Sequence, residues 1–235
     1  MKNKKIMLSV VSGLLVAAVA VGGTLAYLSD TSNTVTNTFN VGSGYIDDGE
    51  HQGLWLDEID IDGIDEEGNP AERTESGNEY GELLPGSVVV KDPTFHMTGG
   101  SVESYVIAKV TGVDAAEAAG YIFKNADGEV GFNSEWVKVA NTDGTKDSLE
   151  NTEDGYYIYS SFETNAPVIV DATAVEKGNN LDLTAMFNTV ELDGALTDIS
   201  SIEVQTVKVQ GVAVQADNNT PDGALEVAVG LDWNI

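Results

Sequence analysis

Histidine occurs at only two positions in this chain, 51 and 96. His51 stands in an acidic, loop-like stretch, and His96 in the strand-like run Thr94-Phe95-His96-Met97. A zinc peptidase helix carries two histidines four residues apart with a glutamate base between them. That spacing is absent here. The two imidazoles could still meet in space beside an acid; otherwise they are ordinary strand or surface histidines. There is no cysteine, so thiol catalysis, thiolate zinc ligation and sulfur cross-links are excluded. Neither a G-x-S-x-G nucleophile motif nor a phosphate-binding P-loop is present. The expectation is therefore no catalytic residue, no bound cofactor and no enzyme.

The acidic run Asp57–Glu67 is a better ligand candidate. With Glu58 at position 1 of a calcium loop, Asp60 falls at 3, Asp62 at 5 and the turn glycine Gly63 at 6. Position 12 is then Asn69 rather than a bidentate glutamate, and no helices flank the run. This is not an EF-hand. Glu58, Asp60, Asp62 and Asp65 remain a candidate calcium set outside that motif, against the alternative of a solvated acidic loop. Asp143 with Asp147, and Asp217 to Asp222, repeat the idea more weakly.

Charge narrows the partners. Eleven basic residues face 39 acidic ones, a net charge of −28 in 235 residues. Such a field repels nucleic acid and anionic membrane. Hydrophobic residues are nonetheless 42% of the chain, enough to build a core.

The N-terminus is organised differently. Met1–Lys5 is basic, Ile6 to Val21 is largely apolar, and Gly22-Gly23-Thr24-Leu25-Ala26 supplies small residues before Tyr27-Leu28-Ser29-Asp30. This is the layout of a secretory signal peptide, with cleavage expected between Ala26 and Tyr27. An uncleaved membrane anchor is the alternative. Export follows, with the membrane a transient partner before cleavage. With no cysteine for a lipid anchor and no sorting motif in Leu231–Ile235, covalent wall attachment is not expected.

Elements follow from periodicity. Ser104–Thr111 is apolar on both alternating faces and reads as a central strand. Leu54–Ile61, Val88–Val90, Trp136–Val139, Tyr156–Tyr159, Val168–Val170 and Ile202–Gln215 read as further strands between Gly, Asn and Asp turns. Leu181–Phe187 fits helix or strand. Asp114–Phe123 predicts a short helix capped by Asp114, with Glu117 at capping-box spacing. Leu225–Trp233 places five apolar residues at period two and reads as a final strand, with an amphipathic helix as the alternative. Many short strands without βαβ units predict an all-β sandwich with short helical insertions.

The segment Gly22–Asp30, with Asn37-Thr38-Phe39-Asn40-Val41-Gly42, resembles the signal and mature start of the TasA/camelysin family of Gram-positive bacteria. Leu84-Pro85-Gly86-Ser87, Lys91-Asp92-Pro93-Thr94, Gly99-Gly100-Ser101 and Ser104–Val110 resemble it further, and Val212–Asp217 more weakly. The resemblance covers about half the chain. It implies a jelly-roll-like β-sandwich after a cleaved signal helix, processing by a SipW-type signal peptidase, and a place in the extracellular matrix or on the cell surface. It also implies self-association into biofilm matrix fibres.

The expected organisation is signal peptide at 1–26, N-terminal strand at 27–43 and β-sandwich domain at 44–235. Residues 27–43 are β-prone and contain no proline, so they could be donated to a neighbour's sheet. Val35, Phe39 and Val41 would be the buried side chains of that assembly strand. Two readings compete. One is a camelysin-like surface metallopeptidase, for which no ligand set is recognisable. The other is a monomeric adhesin or carbohydrate-binding sandwich, with Trp55, Trp136 and Tyr156-Tyr157-Tyr159 stacking on sugars.

Overall fold

The computed structural model describes the backbone of residues 29–31 and, with side chains, residues 45–61, 63, 72–78, 80–81, 83–150, 152–197 and 205–233. The signal segment, the cleavage pair Ala26 and Tyr27, and the assembly residues Val35, Phe39 and Val41 lie outside the described residues, as do Asp62 and Asp65.

Twelve strands and two helices are described: β1 (Ser29–Thr31), β2 (Leu54–Ile59), β3 (Arg73–Thr74), β4 (Val88–Val90), β5 (Thr94–Thr98), β6 (Ser104–Thr111), α1 (Val113–Ala118), β7 (Tyr121–Lys124), β8 (Trp136–Ala140), β9 (Gly155–Tyr159), β10 (Asn180–Asp182), β11 (Thr189–Leu192), β12 (Lys208–Gln215) and α2 (Pro221–Val229). They form three antiparallel sheets, in the orders β1-β12-β6-β9-β8, β10-β5-β2-β3 and β4-β11-β7. The chain is all-β, with short helical insertions.

Alternation explains why these strands sit where they do. On β6, Val106, Ala108 and Val110 enter the main core, together with Leu54, Phe95 and Met97 of the second sheet and Phe123 and Val190 of the third. The opposite face of β6 turns Tyr105 and Ile107 toward a smaller cluster with Val212, Val214, Ala224, Leu225 and Ala228. β6 is thus central in its sheet and covered on both sides, as its composition implies.

α2 corrects the expectation of a final strand at Leu225–Trp233. Thr220 caps the helix, its hydroxyl accepting from the Gly223 N–H at 3.1 Å, and Pro221 opens the first turn. These start signals prevail over the period-two pattern. Helical spacing then buries Ala224, Leu225 and Ala228, and Trp233 folds back to donate its indole N–H to the Ala228 carbonyl at 2.7 Å. Substituting Thr220 by Ala should cost about 1 kcal/mol, read as a lower urea midpoint at unchanged slope.

α1 forms where expected but begins earlier. Gly112, not Asp114, is its N-cap. The Asp154 carboxylate, arriving from another element, accepts the Val113 N–H at 2.7 Å, and the Asp114 carboxylate accepts the Asp154 N–H at 2.9 Å. Tyr121 to Lys124 leaves the expected helix and pairs as β7 with β11. The Val168–Val170 strand reduces to single bridges, Ser160 with Pro167 and Ser104 with Val170.

Candidate functional site

Chemistry-bearing residues converge on the outer face of the β10-β5-β2-β3 sheet. The β2–β5 register sets Trp55 opposite His96, and the β5–β10 register sets Asp182 opposite His96 from the other side. Trp55, Asp57, His96 and Asp182 therefore share a face, while Leu54, Phe95 and Met97 point into the core.

Three rings stack there. His51 lies 3.8 Å from Trp55, centroid to centroid, at 9° between planes, and His96 lies 4.1 Å from the opposite face at 21°. The Asp48 carboxylate shapes the turn that brings in His51, accepting its backbone N–H at 2.8 Å. The His51 Nε2 stands 2.7 Å from the Glu75 carboxylate. The Trp55 indole N–H is buried and meets no hydrogen-bond partner among the described residues.

A chain of charges runs from the stack. His96 Nδ1 is 2.8 Å from Asp182 Oδ1, and His96 Nε2 is 2.8 Å from Asp57 Oδ1. Arg73 donates through Nε to the same Asp57 oxygen at 2.7 Å and through Nη1 to Asp92 at 2.8 Å. The second oxygen of the Asp92 carboxylate accepts the Ile59 N–H at 2.8 Å. An ionised carboxylate can only accept, so an imidazole between two of them needs protons on both nitrogens. Burial works against that charge on His96. The hydrogen bonds and negative charges of Asp57 and Asp182 outweigh burial and hold its pKa above the ordinary histidine value. Burial likewise pushes Asp57 up, and His96 with Arg73 more than reverses it, leaving Asp57 below the usual carboxylate range.

Of the candidate calcium residues, Glu58 and Asp60 are described, and Asp62 and Asp65 lie outside the described residues. Lys91 Nζ donates to the Glu58 carboxylate at 2.6 Å, and the Asn78 backbone and side-chain N–H groups donate at 2.9 and 2.8 Å. Glu58 is committed to protein partners. Asp60 has its backbone N–H on the Glu72 carbonyl. The two histidines do meet, with Trp55 between them and acids at their nitrogens. Among the described residues no group of three or more His, Cys, Asp or Glu side chains is placed to hold a metal ion. Of the aromatics considered for sugar stacking, Trp136 and Tyr157 are fully buried, Tyr156 nearly so, both faces of Trp55 are covered, and Tyr159 is half-buried against Trp136.

The second site is a sheet edge. β1 occupies the outside of β12, Ser29 opposite Val214 and Thr31 opposite Val212. β12 runs for eight residues, and the described part of β1 pairs with three of them. Beside them the Tyr45 hydroxyl, buried, donates to the Ala213 carbonyl at 2.9 Å and lies 3.2 Å from Ser104 Oγ. Tyr45 thus fastens the start of the sandwich to β12 and β6 independently of β1.

None of the described helices is long and apolar enough to cross a membrane. No protein-family model, curated protein or solved structure matches this chain.

Proposed function

We propose that this chain is an exported structural subunit, a TasA-like jelly roll that assembles into extracellular matrix fibres by exchanging its N-terminal strand. The observation that carries this reading is the place of β1. It is an N-terminal strand at the edge of a sheet, paired antiparallel with β12, Ser29 opposite Val214 and Thr31 opposite Val212. An edge strand supplied from the chain's own N-terminus can be replaced by the same strand of a neighbour, with the same backbone hydrogen bonds. Tyr45 keeps the sandwich closed while that happens, because its hydroxyl and not β1 ties the domain start to Ala213. A head-to-tail exchange of this kind does not close on itself and propagates as a fibre. The excess of acidic over basic residues keeps unassembled copies apart in solution. The jelly-roll topology is part of the proposal, supported by antiparallel sheets that share one core. So is export behind a signal peptide ending at Ala26, with cleavage by a SipW-type peptidase exposing the strand for donation.

Negative-stain electron microscopy of residues 27–235, with and without calcium, tests this beside the same chain lacking 27–43. Filaments are expected from the longer chain alone. Phe39→Asp should abolish filaments while the circular dichroism of the folded monomer is retained. Filaments that persist in Phe39→Asp, or form without 27–43, would overturn strand donation.

A further inference from the structure

β10 is an edge strand of three residues. Its ladder to β5 centres on the Leu181–Met97 pair. Beyond it the Gly99 N–H donates to the Asn179 carbonyl and the Leu183 N–H to the Phe95 carbonyl, each at 2.9 Å. Asp182 faces His96 at a position between these ladder bonds, where cross-strand side chains come closest. The two carboxylates on His96 are unequal. The Asp182 side chain is 70% exposed, that of Asp57 6% and that of His96 8%.

We propose that His96 is a protonation-controlled latch: as an imidazolium it ties the exposed Asp182 of edge strand β10 to the buried Asp57 of β2, and on losing a proton it releases Asp182 and loosens β10 from β5.

The asymmetry decides which bond is given up. A neutral imidazole keeps one N–H. Asp57 is buried and shares its oxygen between His96 and Arg73, so withdrawing a donor there leaves a desolvated carboxylate under-satisfied. Asp182 loses little, because water takes the vacated position. The remaining N–H therefore stays on Asp57. The charged groups around His96 are Asp57 from β2, Asp182 from β10, and Arg73 from β3 acting through Asp57. Across the Trp55 ring stands His51, itself paired with Glu75. Asp92, on the far side of Arg73, completes the set. Because the folded-state pKa of His96 is raised, its contribution is complete below the unfolded histidine value and is lost as pH rises through the folded value. The latch is closed where His96 is an imidazolium between ionised carboxylates, below the ordinary histidine value, and opens as pH rises through the raised one. It stands independently of the fibre reading.

The test uses the mature chain. Nitrogen-15 NMR of the histidine rings reports protonation across a pH series. Amide hydrogen exchange, expressed as protection factors to remove the intrinsic pH dependence, reports β10. Both His96 nitrogens should carry protons at a pH below the ordinary histidine value, and one of them should be lost above that value, later than in an unfolded histidine. Protection at Leu181, Leu183, Met97 and Gly99 should fall about tenfold as His96 titrates, with β6 amides unchanged. Asp182→Asn should show that lower protection already below the ordinary histidine pKa and no further response, and His96→Gln should abolish the response. His96 losing its second proton below the ordinary histidine pKa, protection unchanged through its titration, or wild-type protection in Asp182→Asn would each overturn the proposal.

Discussion

Alanine at position 211 is expected to destabilise the fold by about 3 kcal/mol. Gly211 lies in β12 where the five-stranded sheet packs against Phe95 of the second sheet. A Cβ there would stand 2.3 Å from Cε1 of Phe95, 2.8 Å from Cζ and 3.0 Å from Cδ1. No real Cβ tolerates such distances, so one side must yield. Phe95 is fully buried and packs on Trp136, ring centroids 5.3 Å apart, and the Trp136 indole N–H is bound to the Thr184 carbonyl at 2.8 Å. β12 is bound to β6 over its whole length, Lys208 opposite Thr111 through Gln215 opposite Ser104. Neither the ring nor the strand can retreat alone, and parting the sheets would open the main core. Urea unfolding should give a lower midpoint with an unchanged slope. Phe95→Leu removes the atoms that collide, at its own cost in buried area. The pair Gly211→Ala with Phe95→Leu should therefore be less destabilised than the sum of the singles. Strict additivity would mean that the ring and the glycine do not meet.

That contact shows what local pattern can and cannot convey. β6 is legible as a central strand because a half-buried strand would not be apolar on both faces. Val88–Val90, Trp136–Val139 and Tyr156–Tyr159 are legible for the same reason, since β-branched and aromatic residues bounded by turns have few other uses. Leu225–Trp233 misleads because a period of two counts its apolar residues and overlooks Thr220-Pro221, which starts a helix before the pattern begins. Gly112, in turn, escapes notice as the cap of α1 because the carboxylate that completes it belongs to Asp154, some forty residues away. The partners of the candidate residues are hidden in the same way. Glu58 fits a calcium loop by spacing, but Lys91 reaches it from 33 residues downstream. His51 and His96 look unrelated until the register of β2 on β5 places Trp55 beside His96. Spacing within a segment is written in the sequence. Register between distant strands depends on turns and core packing, and the partners of buried charges follow from register.

Replacing Arg73 by methionine should cost about 2–4 kcal/mol and narrow the pH range of stability from the acid side. Among the described residues Arg73 is the one side chain that bonds both Asp57 and Asp92, whose carboxylates are almost wholly buried. Methionine keeps much of the aliphatic bulk and removes the charge. Two buried carboxylates are then left with fewer donors: Asp57 with His96, and Asp92 with the Ile59 N–H. Removing one partner of a buried ion pair costs far more than the pair contributes over an apolar replacement. The Arg73 side chain is 34% exposed, so water reaches this end of the network and the full buried-pair penalty is not expected. The pH dependence separates this account from lost packing. Asp57 titrates below its unfolded value in the native protein, so its contribution is present above the unfolded carboxylate pKa and lost as pH falls through the folded one. Without Arg73 that depression shrinks, and acid unfolding should begin at higher pH. On the alkaline side the limit belongs to His96, whose contribution disappears as pH rises through its raised pKa. The variant should leave that limit in place, because Asp57 and Asp182 still grip the imidazolium. Stability measured across pH should therefore contract at one end only. A uniform loss at every pH would assign Arg73 a packing role, and the run from Asp182 to Asp92 would then not act as one network.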